Sequence, residues 1–222
     1  MKDLLKVLAV GLVYLFCFVF LPIVTGVARR FTEKYYWVGA FAPLFMLGGN
    51  QMNYAGLIKN DVVNGEGVCV SFFTQGCPHH CPGCFNPETW DFNGGKPIPT
   101  DIKGEIIKAL VDNDVKRNFS ILGGEPLCDE NKDFVNELIL SVKAALPQTN
   151  IYVWTGYEFG YLQKISRSDT VINSILENSD VLITGPFEKD KKDLTLKLRG
   201  SSNQEIWRKK NKKFILDKDW FF

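Results

Sequence analysis

Histidine is almost absent from this chain: two in 222 residues, His79 and His80, side by side. A zinc site drawn from two separated ligand clusters therefore has no second half, since there is neither another C-x2-C pair nor an H-x3-H. An excess of charge is also lacking. Lys and Arg number 26 against 25 Asp and Glu, a net of +1, and nothing in that balance points to nucleic acid or to an acidic partner. No internal repeat or low-complexity linker interrupts the chain. The six cysteines follow no framework spacing, which argues for a reducing compartment rather than a disulfide scaffold. Cys17, Cys69 and Cys128 stand alone and read as small buried apolar residues. With 45% hydrophobic residues, the chain suits one domain with a sizeable core.

What is present is concentrated in one stretch, Cys77-Pro78-His79-His80-Cys81-Pro82-Gly83-Cys84-Phe85-Asn86. Three cysteines fall at C-x3-C-x2-C. Val68 to Thr74 ahead of them is apolar and β-branched and reads as a strand, broken by Gln75-Gly76. The cysteines thus sit on a loop leaving a strand end, where α/β proteins place their chemistry. Disulfide pairing among such near neighbours would be strained and would leave one sulfur over. Two metals remain open on spacing alone. Zinc would take the three cysteines with His79 or His80 as a closed Cys3His site. An iron–sulfur cluster would take the three soft thiolates and keep one iron open.

A second motif lies downstream. Phe119 to Leu122 reads as a strand that runs into Gly123-Gly124-Glu125-Pro126. Two glycines at a strand end let a ligand approach the backbone closely, so Gly124 is expected to be bare to make room for one. A plain turn is the alternative. Together the two motifs resemble the radical S-adenosylmethionine (SAM) superfamily. Within it, Val63 to Gly67, the cysteine loop, Asn86 to Trp90, Val153-Trp154-Thr155-Gly156-Tyr157 and Arg199 to Gln204 are similar to the activating proteins of anaerobic ribonucleoside-triphosphate reductase. The similarity runs from about Met52 to Trp207. Gly83 stands where many superfamily members carry an aromatic, with Phe85 following instead, a pattern the reductase activases share. Thr184 stands where those activases usually carry Asp, which leaves the role of that position open.

The resemblance implies a partial open βα barrel of the radical SAM type. It implies a 4Fe–4S cluster on Cys77, Cys81 and Cys84 that passes one electron to bound SAM. Carbon–sulfur cleavage would give methionine and a 5′-deoxyadenosyl radical, which takes a hydrogen from a backbone glycine of the large subunit of the reductase. Gly83 and Phe85, flanking Cys84, would line the adenine side. Gly123 and Gly124 would offer backbone to the methionine end, Glu125 would pair its ammonium, and Thr155 would reach the ribose. No general acid or base is implied, and the electron would come from a reducing donor such as flavodoxin. Three other readings are an activase of another glycyl-radical enzyme, such as pyruvate formate-lyase, a radical SAM enzyme acting on a small molecule, and a zinc-stabilised binding module.

In order along the chain, residues 1–51 form an apolar N-terminal extension and residues 52–222 the activase-like domain. Val7 to Ala28 is 22 residues without a charge, long enough to span a bilayer. Tyr35 to Gly49, broken by Pro43, reads as interfacial or buried. The extension is expected to be either a membrane anchor or an upstream segment not made in the cell. It holds five Lys/Arg and two Asp/Glu, leaving 21 and 23 beyond it, a net of −2. A cytoplasmic body is expected, membrane-associated only if residues 7–28 are a real anchor. Asn64-Gly65 marks a turn-rich lead into the first strand and a possible wall for a peptide substrate. Helices are expected from Thr100 to about Asp112 and from Asp133 to Leu146, with a short one closing over Val171 to Leu176. Strands are expected at Ile151 to Trp154 and Val181 to Ile183. Such alternation implies βα units around a parallel sheet. Trp90 reads as core. Leu194, Leu196 and Leu198 alternate as on a half-buried strand, Arg199 to Gln204 reads as a turn at the site edge, and Arg208 to Lys213 as a basic solvated tail.

Overall fold

The structure, a computed structural model, describes residues 52–217. The expectations for Val7–Ala28 and Tyr35–Gly49 lie outside the described residues. Among the described residues no helix is long and apolar enough to cross a membrane.

The described chain is a mixed α/β unit built on one eight-stranded sheet. Its strands are β1 Asn53–Asp61, β2 Val68–Thr74, β3 Lys96–Pro97, β4 Arg117–Gly123, β5 Ile151–Trp154, β6 Val181–Thr184, β7 Glu205–Lys210 and β8 Lys213–Leu216. They lie in the order β3-β1-β2-β4-β5-β6-β7-β8. The central four, β2, β4, β5 and β6, run parallel, and the outer strands on both sides are antiparallel. Four α-helices complete it: α1 Ile102–Leu110, α2 Lys132–Ala145, α3 Phe159–Ile165 and α4 Thr170–Asn178.

The period of two along each strand decides what each face does. Val70, Phe72, Phe119, Ile121, Ile151, Val153 and Leu182 point into the main core. There they meet Ile102 and Ile106 of α1, Val135, Leu138 and Val142 of α2, and Ile172 and Ile175 of α4. The alternate residues Tyr152, Val181 and Ile183 join Ile206 in a smaller cluster on the other face, with Trp154 and Leu198 packed against it. The helices therefore cover one face, and the other is left to loops and to a cavity.

Several segments differ from what their patterns suggest. Asn53–Asp61 is a strand ahead of the expected first one. Leu194, Leu196 and Leu198 are not on a strand: Asp193 Oδ1 accepts from the backbone N–H and hydroxyl of Thr195 at 2.9 and 2.6 Å and turns the chain there. Lys192 and Ser201 bridge the base of that loop. The Arg208–Lys213 run is not a tail. It makes the β7–β8 hairpin, turned at Asn211 and Lys212, both at positive φ, as a two-residue type I′ connection requires. Helix α3 fills a stretch that carried no expected element. Trp90 is half-buried, its ring 5.0 Å from that of His80.

Asp169 caps α4, accepting from Val171 N–H at 2.9 Å and Ile172 N–H at 3.0 Å, and it pairs with Lys132 at 2.8 Å. The Lys132 ammonium, the largest cause, helps hold its carboxyl below the ordinary 3.8. Loss of the cap in Asp169→Ala is expected to cost about 0.5–2 kcal/mol of stability. A depressed folded value places this contribution above pH 3.8, with loss as pH falls through the lower folded value. Urea unfolding across that range should show the acid-dependent part in the wild type and not in Asp169→Asn.

Candidate metal centre

Parallel strands deliver their C-terminal ends to one edge of the sheet, and four loops meet there. The cysteine loop follows β2, Gly123-Gly124-Glu125 ends β4, Thr155-Gly156 follows β5, and Gly185-Pro186 follows β6. The start of the cysteine loop is pinned by two buried amides. Gln75 Nε2 donates to the carbonyls of Glu88 and Asp91 at 3.0 and 2.7 Å. Asn131 Nδ2, at the head of α2, donates to the carbonyls of Gln75 and Glu125 at 3.0 and 2.9 Å. Backbone bonds from Gly76 to Thr89 and from Cys77 to Trp90 close the loop's base.

Cys77, Cys81 and Cys84 are half-buried free thiols. All three stand on the wall of one cavity of about 410 Å³, together with Phe73, Leu122, Gly123, Gly124, Trp154 and Thr155. Inside the loop Cys84 N–H bonds Cys81 O at 3.0 Å, and Asn86 N–H points to Cys84 Sγ at 3.4 Å. Burial pushes the Cys77 thiol up to about 11. Burial raises Cys81 as well, against a backbone bond from Phe187. A metal reverses that balance, because a coordinating thiol gives up its proton.

The donor set suits iron–sulfur chemistry: three soft sulfurs on one wall, with a backbone N–H turned to one of them. A Cys3His zinc site does not form. His79 is turned to Glu125 and His80 to the Trp90 ring. Among the described residues no three His, Cys, Asp or Glu side chains are grouped to hold a metal ion. A cluster whose irons each take one thiolate needs no such convergence.

Glu125 is 1% exposed and its carboxylate is fully engaged. Oε1 accepts from the Thr155 hydroxyl at 2.8 Å and Leu127 N–H at 2.9 Å. Oε2 accepts from Gly156 N–H at 2.7 Å and stands 2.9 Å from His79 Nε2. Four partners match the roughly four lone-pair directions of a carboxylate. Both the carboxylate expected to meet an ammonium and the Thr155 hydroxyl expected to meet a ribose are committed to one another.

Gly124 is on the cavity wall, but its missing side chain makes room for something other than a ligand. A Cβ there would lie 2.3 Å from Gly76 O and 2.9 Å from Gly76 C. The glycine is needed because the end of β4 packs on the backbone that opens the cysteine loop, where Glu125 N–H bonds Gly76 O at 2.8 Å. Gly123 needs its lack of side chain for its φ of +104°. Phe85 is on the cavity wall, half-exposed, with its ring 5.2 Å from Phe187. Gly83, at φ +77°, is outside that wall. Thr184 is 1% exposed, its hydroxyl without a partner, and it too is outside the wall.

Sequence reasoning missed part of the lining. Phe187 and the loop leucines Leu194, Leu196 and Leu198 face the cavity, as do Arg199, Gly200 and Gln204 of the expected site-edge turn. Gln204 holds that turn in place, accepting from Gly200 N–H at 2.8 Å and donating to Gly185 O at 3.1 Å. Val63 and Asn64 close the far end, so the turn before β2 is also a wall. A second cavity of about 440 Å³, beside α1, holds charged groups already paired: Lys59 with Glu105, and Arg117 with Asn60 and backbone carbonyls.

A family described as "4Fe-4S single cluster domain" matches residues 63–207. The chain is 39% identical over 158 residues to the anaerobic ribonucleoside-triphosphate reductase-activating protein of Pasteurella multocida (strain Pm70), covering 71% of this chain and 98% of the relative. It is 37% identical over 156 residues to the protein of that name from Escherichia coli (strain K12), covering 70% and 97%. With the one from Enterobacteria phage T4 it shares 34% over 157 residues, 70% and 94%.

The Gly124 contact makes a direct expectation. In Gly124→Ala the new methyl must push the Gly76 backbone away, at about 1–3 kcal/mol for an overpacked site. Melting temperature and iron content should fall together. Wild-type values of both would show that residue 124 does not bear on the loop.

Proposed function

This chain belongs to the family of the anaerobic ribonucleoside-triphosphate reductase-activating proteins, and from that premise we propose that it activates such a reductase by generating a glycyl radical on its large subunit. The observation that carries the reading is the meeting of three thiols with the ends of β4 and β5 around one cavity. Cys77, Cys81 and Cys84 would hold a 4Fe–4S cluster with one iron left open. When bound and reduced, that cluster supplies the electron that breaks a carbon–sulfur bond of SAM, so that a hydrogen can be drawn from a backbone glycine of the reductase.

The chain's own contribution is positioning and shielding, as for cofactor enzymes in general. Gly123 and Gly124 expose backbone where the methionine end of SAM would lie, and Phe85, after Gly83 and Cys84, presents an aromatic face for the adenine. Glu125 and Thr155 serve that site through the segment they hold together. Pairing of the SAM ammonium with Glu125 would require His79 to leave. The apolar lining of Phe187, Leu194, Leu196 and Leu198 keeps water from a reactive centre. The partial open βα barrel of the radical SAM type is the architecture this reading assigns to the sheet and its helices. A low-potential donor such as flavodoxin would supply the electron, in the cytoplasm.

The test is anaerobic reconstitution followed by chemical reduction, SAM and the large reductase subunit. A glycyl radical signal in electron paramagnetic resonance (EPR) is expected with the wild type. Cys81→Ala should give neither iron loading nor SAM cleavage, since among the described residues three cysteines line the cavity and the cluster would lose one of them. A signal with pyruvate formate-lyase and none with the reductase would move the function to another glycyl-radical enzyme. Stoichiometric zinc without iron or labile sulfide would end the reading altogether.

A further inference from the structure

His79 lies between two of the cysteines, yet its imidazole turns away from them. Nε2 stands 2.9 Å from Glu125 Oε2, on a carboxylate that is 1% exposed and sequestered 46 residues away in sequence. The ring occupies the space a side chain at position 156 would need. A Cβ on Gly156 would lie 2.4 Å from His79 Cδ2 and 2.6 Å from Nε2. Its third side is closed by Tyr157, whose ring meets it edge-on at 4.7 Å and 72°. A carboxylate, a bare stretch of backbone and an aromatic ring thus form a fitted seat. The three groups that make it come from the ends of β4, which neighbours the strand that launches the cysteine loop, and of β5, one strand further on.

We propose that His79 is a positioning residue for the cysteine loop, acting through Glu125; the inference rests on the reading of Cys77, Cys81 and Cys84 as cluster ligands. The Glu125 carboxylate is itself immobile, because Thr155, Gly156 and Leu127 hold it from three other directions. A loop tied to it through His79 inherits that fixed position relative to the Gly123-Gly124 edge. Gly156 is part of the device, since any side chain there evicts the imidazole. The contacts of the His79 ring are with Glu125, Tyr157 and Gly156, so its role is positioning rather than catalysis. Its effect is on where, and how firmly, the thiolates present themselves. The competing account makes His79 a placeholder that keeps Glu125 neutralised until the SAM ammonium arrives.

Full-length wild type, His79→Ala, His79→Gln and Gly156→Ala are reconstituted anaerobically. Four quantities are compared: iron per chain, the rate of iron loss to a ferrous chelator, the EPR signature of the reduced cluster, and SAM affinity. Melting of the metal-free proteins serves as the control for folding. Partners that orient metal ligands typically contribute 10–100-fold in metal affinity. His79→Ala is expected to load iron but release it roughly tenfold faster or more, with altered g values. Metal-free melting is expected to fall as well, because Glu125 loses a partner, and the g values are the readout that a loss of stability alone does not move. Gly156→Ala should behave alike, and His79→Gln, which keeps a donor, should recover much of the loss. Unchanged release and g values in a folded, loaded His79→Ala would overturn the proposal. So would tighter SAM binding with an unaltered cluster, which is the placeholder's signature. Wild-type protein that takes up no iron would overturn the cluster reading and this inference with it, whereas wild-type loading with an unaffected variant overturns the inference alone.

Discussion

A carboxylate sealed from water must be met by donors from every side, and Glu125 is the residue on which the functional edge of this protein converges. Burying such a charge without partners is prohibitive, and removing one partner of a satisfied buried charge typically costs about 3–5 kcal/mol. Leu127 comes from its own loop, Thr155 and Gly156 from the end of β5, and His79 from the loop after β2. Three chain segments that share no sequence neighbourhood are thereby held to a common centre. Asn131 reinforces the same junction, joining the carbonyls of Gln75 and Glu125 from the head of α2. This arrangement is possible because β2, β4 and β5 are parallel neighbours, so that their outgoing loops leave on one edge.

The sheet divides labour between its faces. One is packed by α1, α2 and α4 against the large core, where Phe72, Phe119, Ile121 and Ile139 are wholly buried. That side supplies most of the hydrophobic stabilisation. The other face carries Phe73, Leu122 and Trp154 toward the cavity and is roofed by loops rather than helices. Trp154 Nε1 bonds Leu198 O at 2.8 Å, fastening the leucine-bearing loop to the strand beneath it. Glu66 fastens the opposite end, meeting the Tyr152 hydroxyl at 2.6 Å and Arg208 at 2.7 Å. A rigid layer thus backs a face whose shape is set by loops, as binding surfaces on α/β scaffolds commonly are.

Local signals were readable in the sequence and long-range ones were not. The central strands and helices α1 and α2 announced themselves by period, because their apolar residues recur at the spacing of a buried face. The three cysteines announced themselves because they fall within eight residues. Strand β1 did not, since it mixes Gly56 and Lys59 with apolar residues and is only half-buried. The leucines of the 192–201 loop misled, because alternation is also what a turn-rich loop produces when its apolar side chains face a cavity. The β7–β8 hairpin was hidden by its lysines, which read as a solvated run; the Lys209 ammonium instead lies over the Phe214 ring at 4.7 Å and donates to Leu176 O.

The glycines of the site carry the same lesson in sharper form. Gly124 and Gly156 each invite the reading that a ligand needs the space, yet what fills the space is protein. The Gly76 carbonyl lies against one and the His79 ring against the other, and both intruders belong to the cysteine loop. The loop is therefore docked on the β4 and β5 ends at two points where those strands have given up their side chains. Contact of backbone on backbone at Gly124 fixes separation tightly, because backbone has no rotamers with which to yield, and at Gly156 the His79 ring is fixed in turn by Glu125. A cavity assembled from the loops of separate strands depends on such fixed separations. The bare backbone at 124 and 156 contributes to function by holding the chain against itself.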